Sequence, residues 1–136
     1  LVDLAAEALA AEGIEHGKIV GDQSQKARDA DVAAFQAGDY RVILVVTTAG
    51  GVGITLTAAR CVVFLSRPWS LVEALQAEDR AHRIGSERHQ SVDIVDIVAK
   101  GTVDQAIRTR LVDKAEQLGD VLKDPRVARE VLGGRR

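Results

Sequence analysis

The chain has 136 residues, of which 46% are hydrophobic and 28% charged, and its formal net charge is −2. This length and composition are typical of one soluble globular domain, and they exclude a disordered or fibrous protein. The single cysteine, Cys61, excludes an internal disulfide framework and a thiolate zinc site, and no apolar run approaches the ~20 residues of a membrane span.

The distribution of charge gives weak information about partners. The overall charge does not support nucleic-acid binding. Residues 1–59 have a net charge of −4 and residues 60–136 of +2, so the second half is compatible with a phosphate-facing surface. The chain contains no methionine, and its acidic, alanine-rich start is unlike a signal peptide. We therefore interpret the chain as a segment of a longer polypeptide.

The first part of the chain predicts two helices around a short strand. Leu1 to Glu12 is rich in Ala, Leu and Glu and predicts a helix that ends at Gly13. A short strand is predicted at Lys18 to Val20. Ser24 can cap a helix that continues to about Ala37, and Gly38 is placed to close it.

Two β-branched runs follow. Arg41 to Thr47 and Cys61 to Leu65 lack the alternation of half-exposed strands, so both are predicted to be strands buried on both faces. A glycine-rich loop, Ala49 to Gly53, lies between them. The alternation of strands and helices indicates an α/β domain with a mostly parallel sheet.

The second half repeats the pattern. Ser70 to Glu73 has the spacing of a capping box and predicts a helix from Leu71 to about His82. Val92 to Val98 predicts a strand. A second capping box, Thr102 to Gln105, opens a helix to about Leu118. Asp124-Pro125 predicts the start of a short last helix before a frayed tail.

Arg80 and Arg83 are candidates for binding phosphate. They are three residues apart on a predicted helix, so both guanidinium groups leave the same face, and Gln76 lies one turn before Arg80. Two planar, permanently charged forks on one face fit a triphosphate. The alternative is a solvated face with ion pairs, such as Asp79 with Arg83.

The segment from Thr47 to Leu56 is the second candidate. A glycine-rich turn after a strand lets a phosphate approach backbone N–H groups, at the edge where open α/β sheets bind ligands. As a dinucleotide fingerprint it fails, because Leu56 stands where a third glycine or alanine is required after Gly51 and Gly53. The alternative is a turn whose glycines only relieve crowding.

Together and in this order, the two segments resemble the second ATPase lobe of the Swi/Snf-type helicase-like ATPases, which are double-stranded DNA translocases of helicase superfamily two. Ala49 to Ala59 resembles the family's motif V, Gln76 to Gly85 its motif VI, and Arg67 to Ser70 its tryptophan loop. The resemblance runs from about Leu1 to Leu122. Supporting elements are Gly21, Arg28 and Phe35, spaced as the family's "G…R…F" element, and Lys100 to Asp104, which resembles the opening of its brace helix.

The resemblance implies a fold and a division of the chain. The fold is a RecA-like three-layer α/β/α lobe with a mostly parallel sheet, lacking a first strand that would precede Leu1. The lobe would occupy residues 1–122, and residues 123–136 would form a C-terminal helix and tail.

The resemblance also implies roles for individual residues. Arg80 and Arg83 match the family's arginine fingers, which reach the γ-phosphate of ATP held by the other lobe; such fingers contribute about 10³–10⁵ in rate in related hydrolases. Gln76, Gly53 and Thr55 match positions on the nucleotide side.

Three further positions, Thr47, Gly50 and Gly51, match residues that contact the DNA backbone.

Three positions depart from the family's pattern. Thr55 stands where Asn is usual, Ser70 where Asn-Pro is usual, and Ser86 where Gln is usual.

Two ATPase elements are absent from the sequence. There is no G-x-x-x-x-G-K-[ST] segment and no strand that ends in Asp-Glu, and the family keeps both in its first lobe. We therefore predict the second motor lobe of a DNA-dependent ATPase, inactive alone. Its cofactors would be ATP and Mg²⁺, bound mainly by the absent first lobe. Its partners would be the N-terminal RecA-like lobe of the same polypeptide and double-stranded DNA.

No membrane association is predicted, and the expected location is the cytoplasm or nucleoid, or the nucleus in a eukaryote. Two alternatives remain open. The chain could be a non-motor nucleotide- or protein-binding module on the same fold, or part of a strand-separating helicase of superfamily two.

Overall fold

The structure is a computed structural model, and it describes residues 1–47, 53–82 and 91–122. Within these residues the helices and strands follow one another in the order that the sequence predicts. Their order is α1 (Val2–Ala11), β1 (His16–Ile19), α2 (Gln25–Ala37), β2 (Val42–Val45), β3 (Cys61–Phe64), α3 (Leu71–Asp79), β4 (Asp93–Asp96) and α4 (Val103–Leu122). The short helix predicted at Asp124 lies outside the described residues.

Capping residues set the ends of the middle helices. The Ser24 hydroxyl accepts a hydrogen bond from the Ala27 N–H at 3.3 Å at the start of α2. Gly38, with φ of 92°, closes the same helix in the left-handed conformation that glycine adopts without steric cost. The Ser70 hydroxyl accepts from the Glu73 N–H at 3.4 Å at the start of α3. These contacts confirm the predicted starts of both helices.

The capping box before α4 takes a modified form. The Gln105 side-chain oxygen accepts from the N–H of Gly101 at 2.9 Å, one residue earlier than the standard box requires. The Thr102 hydroxyl accepts from the Asp104 N–H at 3.3 Å. The helix begins at Val103 as predicted and continues to Leu122, beyond the predicted end.

The strands pair in parallel, and the described strands form two pairs. In the first, β1 lies beside β2 with His16 opposite Val42. In the second, β3 lies beside β4 with Cys61 opposite Asp93. The chain divides into two compact units: residues 1–59 with 80–86, and residues 60–79 with 87–136. Each unit contains one strand pair.

The core of the first unit joins α2, the β1–β2 pair and the segment after Gly53. Ile19 is fully buried, and Phe35 is 7% exposed. Burial of each such side chain contributes roughly 1.5–3 kcal/mol. Together with Ile54 and Leu56 they form one cluster, and partly buried residues surround it: Val32, Tyr40, Ile43, Val45, Ala58 and Ala59.

The core of the second unit lies between α3 and α4. Ile107, Leu111 and Ala115 recur every four residues along α4 and therefore form one stripe of that helix. This stripe packs with Leu71, and Leu75 covers the cluster. The residues that the structure describes contain no helix that could span a membrane.

The prediction that both β-branched strands are buried on both faces is wrong for β3. Cys61 is exposed and Val63 is 49% exposed, whereas Phe64 is buried. Exposure alternates along β3 as on a strand with only one covered face, and along β4 as well. A β-branched run indicates a preference for the strand conformation, but it does not indicate which neighbouring elements cover each face of that strand. The four residues of β2 are all half-buried.

Candidate functional site

The segment after the glycine-rich loop, Gly53 to Ala59, is anchored by alternate side chains. Ile54 and Leu56 are buried in the core of the first unit, and the Thr57 side chain is buried as well. Gly53 at the start of the segment is exposed and has φ of 63°, a conformation that strongly favours glycine. The segment forms neither helix nor strand, so its backbone groups need other hydrogen-bond partners.

The side chain of Gln36, on α2, supplies partners for two of these backbone groups and for one side-chain hydroxyl. Its amide nitrogen donates to the Thr55 carbonyl at 3.0 Å and to the Thr57 hydroxyl at 3.2 Å. Its amide oxygen accepts from the Ala58 N–H at 2.8 Å. Both ends of the carboxamide are therefore bound to the segment, and the segment is fixed to helix α2.

Arg80 joins the same segment through its backbone. The Leu56 N–H donates to the Arg80 carbonyl at 2.7 Å. In a continued helix that carbonyl would accept from the N–H four residues later. Helix α3 instead ends at Asp79, so the predicted extension to His82 is wrong. Arg80 therefore does not share a helical face with Gln76, contrary to the sequence prediction, and Arg83 lies outside the described residues.

The Arg80 guanidinium lies at the carboxyl end of β2. Its Nη2 is 3.4 Å from the Thr47 carbonyl oxygen, two residues beyond the end of that strand. The side chain is half-buried, and this burial lowers the pKa of the Arg80 guanidinium. Arginine stays protonated at neutral pH even so. Among the described residues, no carboxylate lies within ion-pair distance of Arg80. The site therefore presents a partly desolvated cation.

The structure places half of the residues predicted for the site in the first unit: Thr47, Gly53, Thr55 and Arg80. Arg80 contacts the Thr47 carbonyl, and the Thr55 carbonyl is bound by Gln36. Gln76 is exposed on α3, in the second unit. The others are Arg83, Gly50 and Gly51, which lie outside the described residues, as does Ser86.

Arg67 of the tryptophan loop belongs to a partly buried ionic cluster. The Arg67 Nη1 lies 2.7 Å from Glu78 on α3, and its Nε lies 2.5 Å from Asp96 at the end of β4. Its guanidinium carbon also lies 4.1 Å from the centre of the Phe64 ring. Burial raises the pKa of the Glu78 carboxyl, and the Arg67 charge opposes that rise. Arg67 thus ties the loop to a helix and a strand of the second unit.

Two further residues of this loop are Trp69 and Ser70, and Ser70 departs from the family's pattern. Trp69 is 51% exposed, and the guanidinium carbon of Arg110 lies 5.6 Å from the centre of its ring. Ser70 follows where Asn-Pro is usual, and its hydroxyl caps α3. Serine is among the preferred capping residues, so the helix keeps a polar cap despite the change.

The "G…R…F" element is structural in its described contacts. Phe35 belongs to the core, and the Arg28 Nη2 donates to the Val20 carbonyl at 3.4 Å. The Arg28 Nε and the Gln23 Oε1 are buried, and neither has a hydrogen-bond partner among the described residues. Gly21 is exposed, with open space where a Cβ would be.

The sequence does not predict a role for Gln36, and it predicts Arg67 only as part of the tryptophan loop. Neither side chain has a local spacing signature, because the partners of Gln36 lie 19 to 22 residues away and those of Arg67 lie 11 and 29 residues away. The residues described by the structure contain no group of three or more His, Cys, Asp or Glu side chains that could hold a metal ion.

Comparison with known proteins places this chain in a family. The helicase conserved C-terminal domain family matches residues 1–85. The chromatin-remodeling ATPase INO80 of Aspergillus clavatus is 37% identical over 117 residues, or 85% of this chain and 7% of that protein. The protein of the same name from Drosophila melanogaster is 36% identical over the same shares. The chain thus spans a small part of these relatives.

A solved structure has the same fold. It is the crystal structure of the C-terminal part of the Fun30 ATPase domain, with a TM-score of 0.74 and 24% identity over 81% of this chain and 35% of that one. This likeness confirms the predicted RecA-like α/β architecture. With the family match over residues 1–85 and the relatives above, the chain belongs to the helicase conserved C-terminal domain family and is similar to the second lobe of the Swi/Snf-type ATPases.

Proposed function

We propose that this chain is the second motor lobe of a DNA-dependent ATPase and translocase of the Swi/Snf type. In this proposal a first lobe in the same polypeptide binds ATP and Mg²⁺, and this lobe supplies positive charge to the phosphates when the two lobes close. The relatives named as chromatin-remodeling ATPases support ATP hydrolysis as the activity of the whole protein and chromatin as the setting in which it acts. The nucleus or the nucleoid is the corresponding location.

The observation that carries the proposal is the position of Arg80. Its guanidinium lies beside the Thr47 carbonyl at the end of β2, and its backbone is held by the Leu56 N–H. Ligands of open α/β sheets bind beyond the carboxyl ends of parallel strands. A partly desolvated guanidinium fixed at that edge can donate two parallel hydrogen bonds to phosphate oxygens, and it acts more strongly there than in bulk water.

Arg80 and Arg83 are assigned as arginine fingers. In the proposed reaction they stabilise the charge that spreads over the γ-phosphate oxygens in the transition state, a contribution of about 10³–10⁵ in rate. Gly53, Thr55 and Gln76 are assigned to the nucleotide side. Gly53 is exposed, has a positive φ and carries no side chain, so its backbone can approach a ligand closely.

Thr47, Gly50 and Gly51 are assigned to the backbone of duplex DNA. Contacts of this kind go to phosphates, so binding is expected to depend on salt and to depend little on base sequence. Repeated closing and opening of the two lobes on ATP would then move the protein along the duplex.

The test is the substitution Arg80→Ala in a two-lobe protein that contains this chain. We expect ATP turnover in the presence of duplex DNA to fall by about 10³-fold or more. The dissociation constant for ATP, measured with a fluorescent analogue, should change far less, because the first lobe holds most of the nucleotide. Arg41→Ala is the matched control, since Arg41 is an exposed arginine of the same unit.

Three outcomes would change the assignment. Turnover in Arg80→Ala equal to that of Arg41→Ala would refute the arginine-finger role. ATP binding without turnover in the unmodified protein would favour the non-motor module. Displacement of one strand from a duplex, in place of movement along it, would identify a strand-separating helicase.

A further inference from the structure

Gln36 of α2 binds the segment after the glycine-rich loop through both polar atoms of its side chain. Gln36 lies one residue before the end of the helix and next to Phe35, which is buried in the core. Its carboxamide contacts three residues of the segment at distances of 2.8 to 3.2 Å. These contacts link a rigid helix to a segment that has no regular structure.

The orientation of the carboxamide is determined by its partners. The Thr55 carbonyl can only accept and the Ala58 N–H can only donate. If the amide were rotated by half a turn, its oxygen would face the Thr55 carbonyl and its NH₂ group would face the Ala58 N–H. Both hydrogen bonds would be lost. Glutamine is suited to this position because one side chain provides a donor and an acceptor at a fixed separation.

The contacts of Gln36 fall on both sides of Leu56. Thr55 precedes Leu56, and Ala58 follows it by two residues. The Leu56 side chain is buried, and its N–H donates to the Arg80 carbonyl at 2.7 Å. The position of this N–H therefore depends on how the segment is held, and the Arg80 backbone is bound to it directly.

We propose that Gln36 is a positioning residue for Arg80. This inference rests on the proposed function, in which Arg80 donates to the phosphates of ATP. Gln36 does not touch the nucleotide. It holds the Thr55–Ala58 segment so that the Leu56 N–H fixes the Arg80 backbone where the guanidinium reaches the phosphate. A displacement of about 1 Å at a catalytic group can reduce a rate by about 10²-fold.

The test measures kcat and KM for ATP in the two-lobe protein with duplex DNA, at a temperature well below the unfolding midpoint of every variant. We expect Gln36→Ala to lower kcat by about ten- to hundredfold, with KM changed much less. Gln36→Glu is isosteric and keeps the acceptor for Ala58, but it places an oxygen against the Thr55 carbonyl, so it should lower kcat as well. Gln25→Ala is the matched control, because Gln25 is an exposed glutamine of the same helix whose amide contacts only Asp29 among the described residues.

A double-mutant cycle separates positioning from general destabilisation. If Gln36 acts through Arg80, the double variant Gln36→Ala/Arg80→Ala should have the same kcat as Arg80→Ala alone. A kcat equal to the product of the two separate effects would overturn the proposal. So would a Gln36→Ala variant with normal kcat in a protein where Arg80→Ala is inactive.

Failure of the proposed function gives a different result. In that case Arg80→Ala has normal turnover, or the unmodified protein hydrolyses no ATP. Amide hydrogen exchange then tests the geometry by itself. Faster exchange at Leu56 and Ala58 in Gln36→Glu than in Gln25→Ala supports the hold on the segment, and equal exchange refutes it.

Discussion

The ionic cluster around Arg67 gives a prediction of stability that can be worked through from the structure. The side chain of Arg67 is 10% exposed, and those of its two partners are 14% (Glu78) and 23% (Asp96) exposed. Arg67→Met keeps much of the packing volume against Phe64 but removes the charge. It leaves two carboxylates near each other in a poorly solvated place.

The size of the effect follows from what remains unpaired. Breaking a buried ion pair by removing one partner costs about 3–5 kcal/mol, because the other charge stays buried without compensation. All three side chains are only partly buried, and Asp96 in particular can regain some water, so we expect a loss below that range, about 2 kcal/mol. The assay is urea unfolding at pH 7, followed by circular dichroism. Arg60→Met, at an exposed arginine of the same unit, should change the free energy of unfolding by less than about 0.5 kcal/mol.

The dependence on pH has a definite sign. Burial raises the pKa of Glu78 in the folded chain, and the Arg67 charge lowers it. Without Arg67 the folded state binds the Glu78 proton at a higher pH than the unfolded state does. The stability of Arg67→Met should therefore rise as the pH falls from 7 toward 5, with a slope of up to about 1.4 kcal/mol per pH unit.

A compensating variant completes the test. Replacing both acids in the same background, as Arg67→Met/Glu78→Gln/Asp96→Asn, removes the unpaired charges and should recover much of the lost stability. An Arg67→Met variant as stable as the Arg60→Met control, with no dependence on pH between 5 and 7, would show that Arg67 does not stabilise this cluster.

Two further predictions concern the first unit. A Cβ at Gly17 would lie 3.0 Å from the Tyr40 ring, so Gly17→Ala should destabilise the chain by about 1–3 kcal/mol in thermal or urea unfolding. Gly21→Ala meets open space and serves as its control; equal losses in the two variants would contradict the packing argument. Ser24→Ala removes the cap of α2 and should cost about 1 kcal/mol, whereas Ser24→Asp, which restores an acceptor, should not. A stable Ser24→Ala variant would show that the cap contributes little.

Local signals in the sequence were sufficient to predict the elements. Ser24, Gly38 and Ser70 each satisfy backbone groups within four residues of themselves, so their effect is visible in a short window. The β-branched runs that form β2 and β3 are likewise visible in a short window of sequence. The parallel pairing follows from the alternation of strands and helices.

Features that depend on distant residues were not predictable in this way. The end of α3 at Asp79 is accompanied by a hydrogen bond from Leu56, 24 residues earlier in the chain, to Arg80. The hydrogen bonds from Gln36 to the Thr55–Ala58 segment likewise join residues that are 19 and 22 positions apart in the chain. The resemblance to a known family predicts a role for Arg80 together with Arg83, but it gives no account of what fixes Arg80 in place.

The decisive measurement for the motor assignment is ATP hydrolysis by this chain, by the first lobe of the protein that contains it, and by the two parts mixed. Each sample is assayed with and without duplex DNA, after association of the two parts has been verified by sedimentation. We predict activity only in the mixture, increased by DNA and lost when the mixture carries Arg80→Ala. Hydrolysis by this chain alone, or an associated mixture with no activity, would contradict the assignment of this chain as the second lobe of an ATP-driven motor.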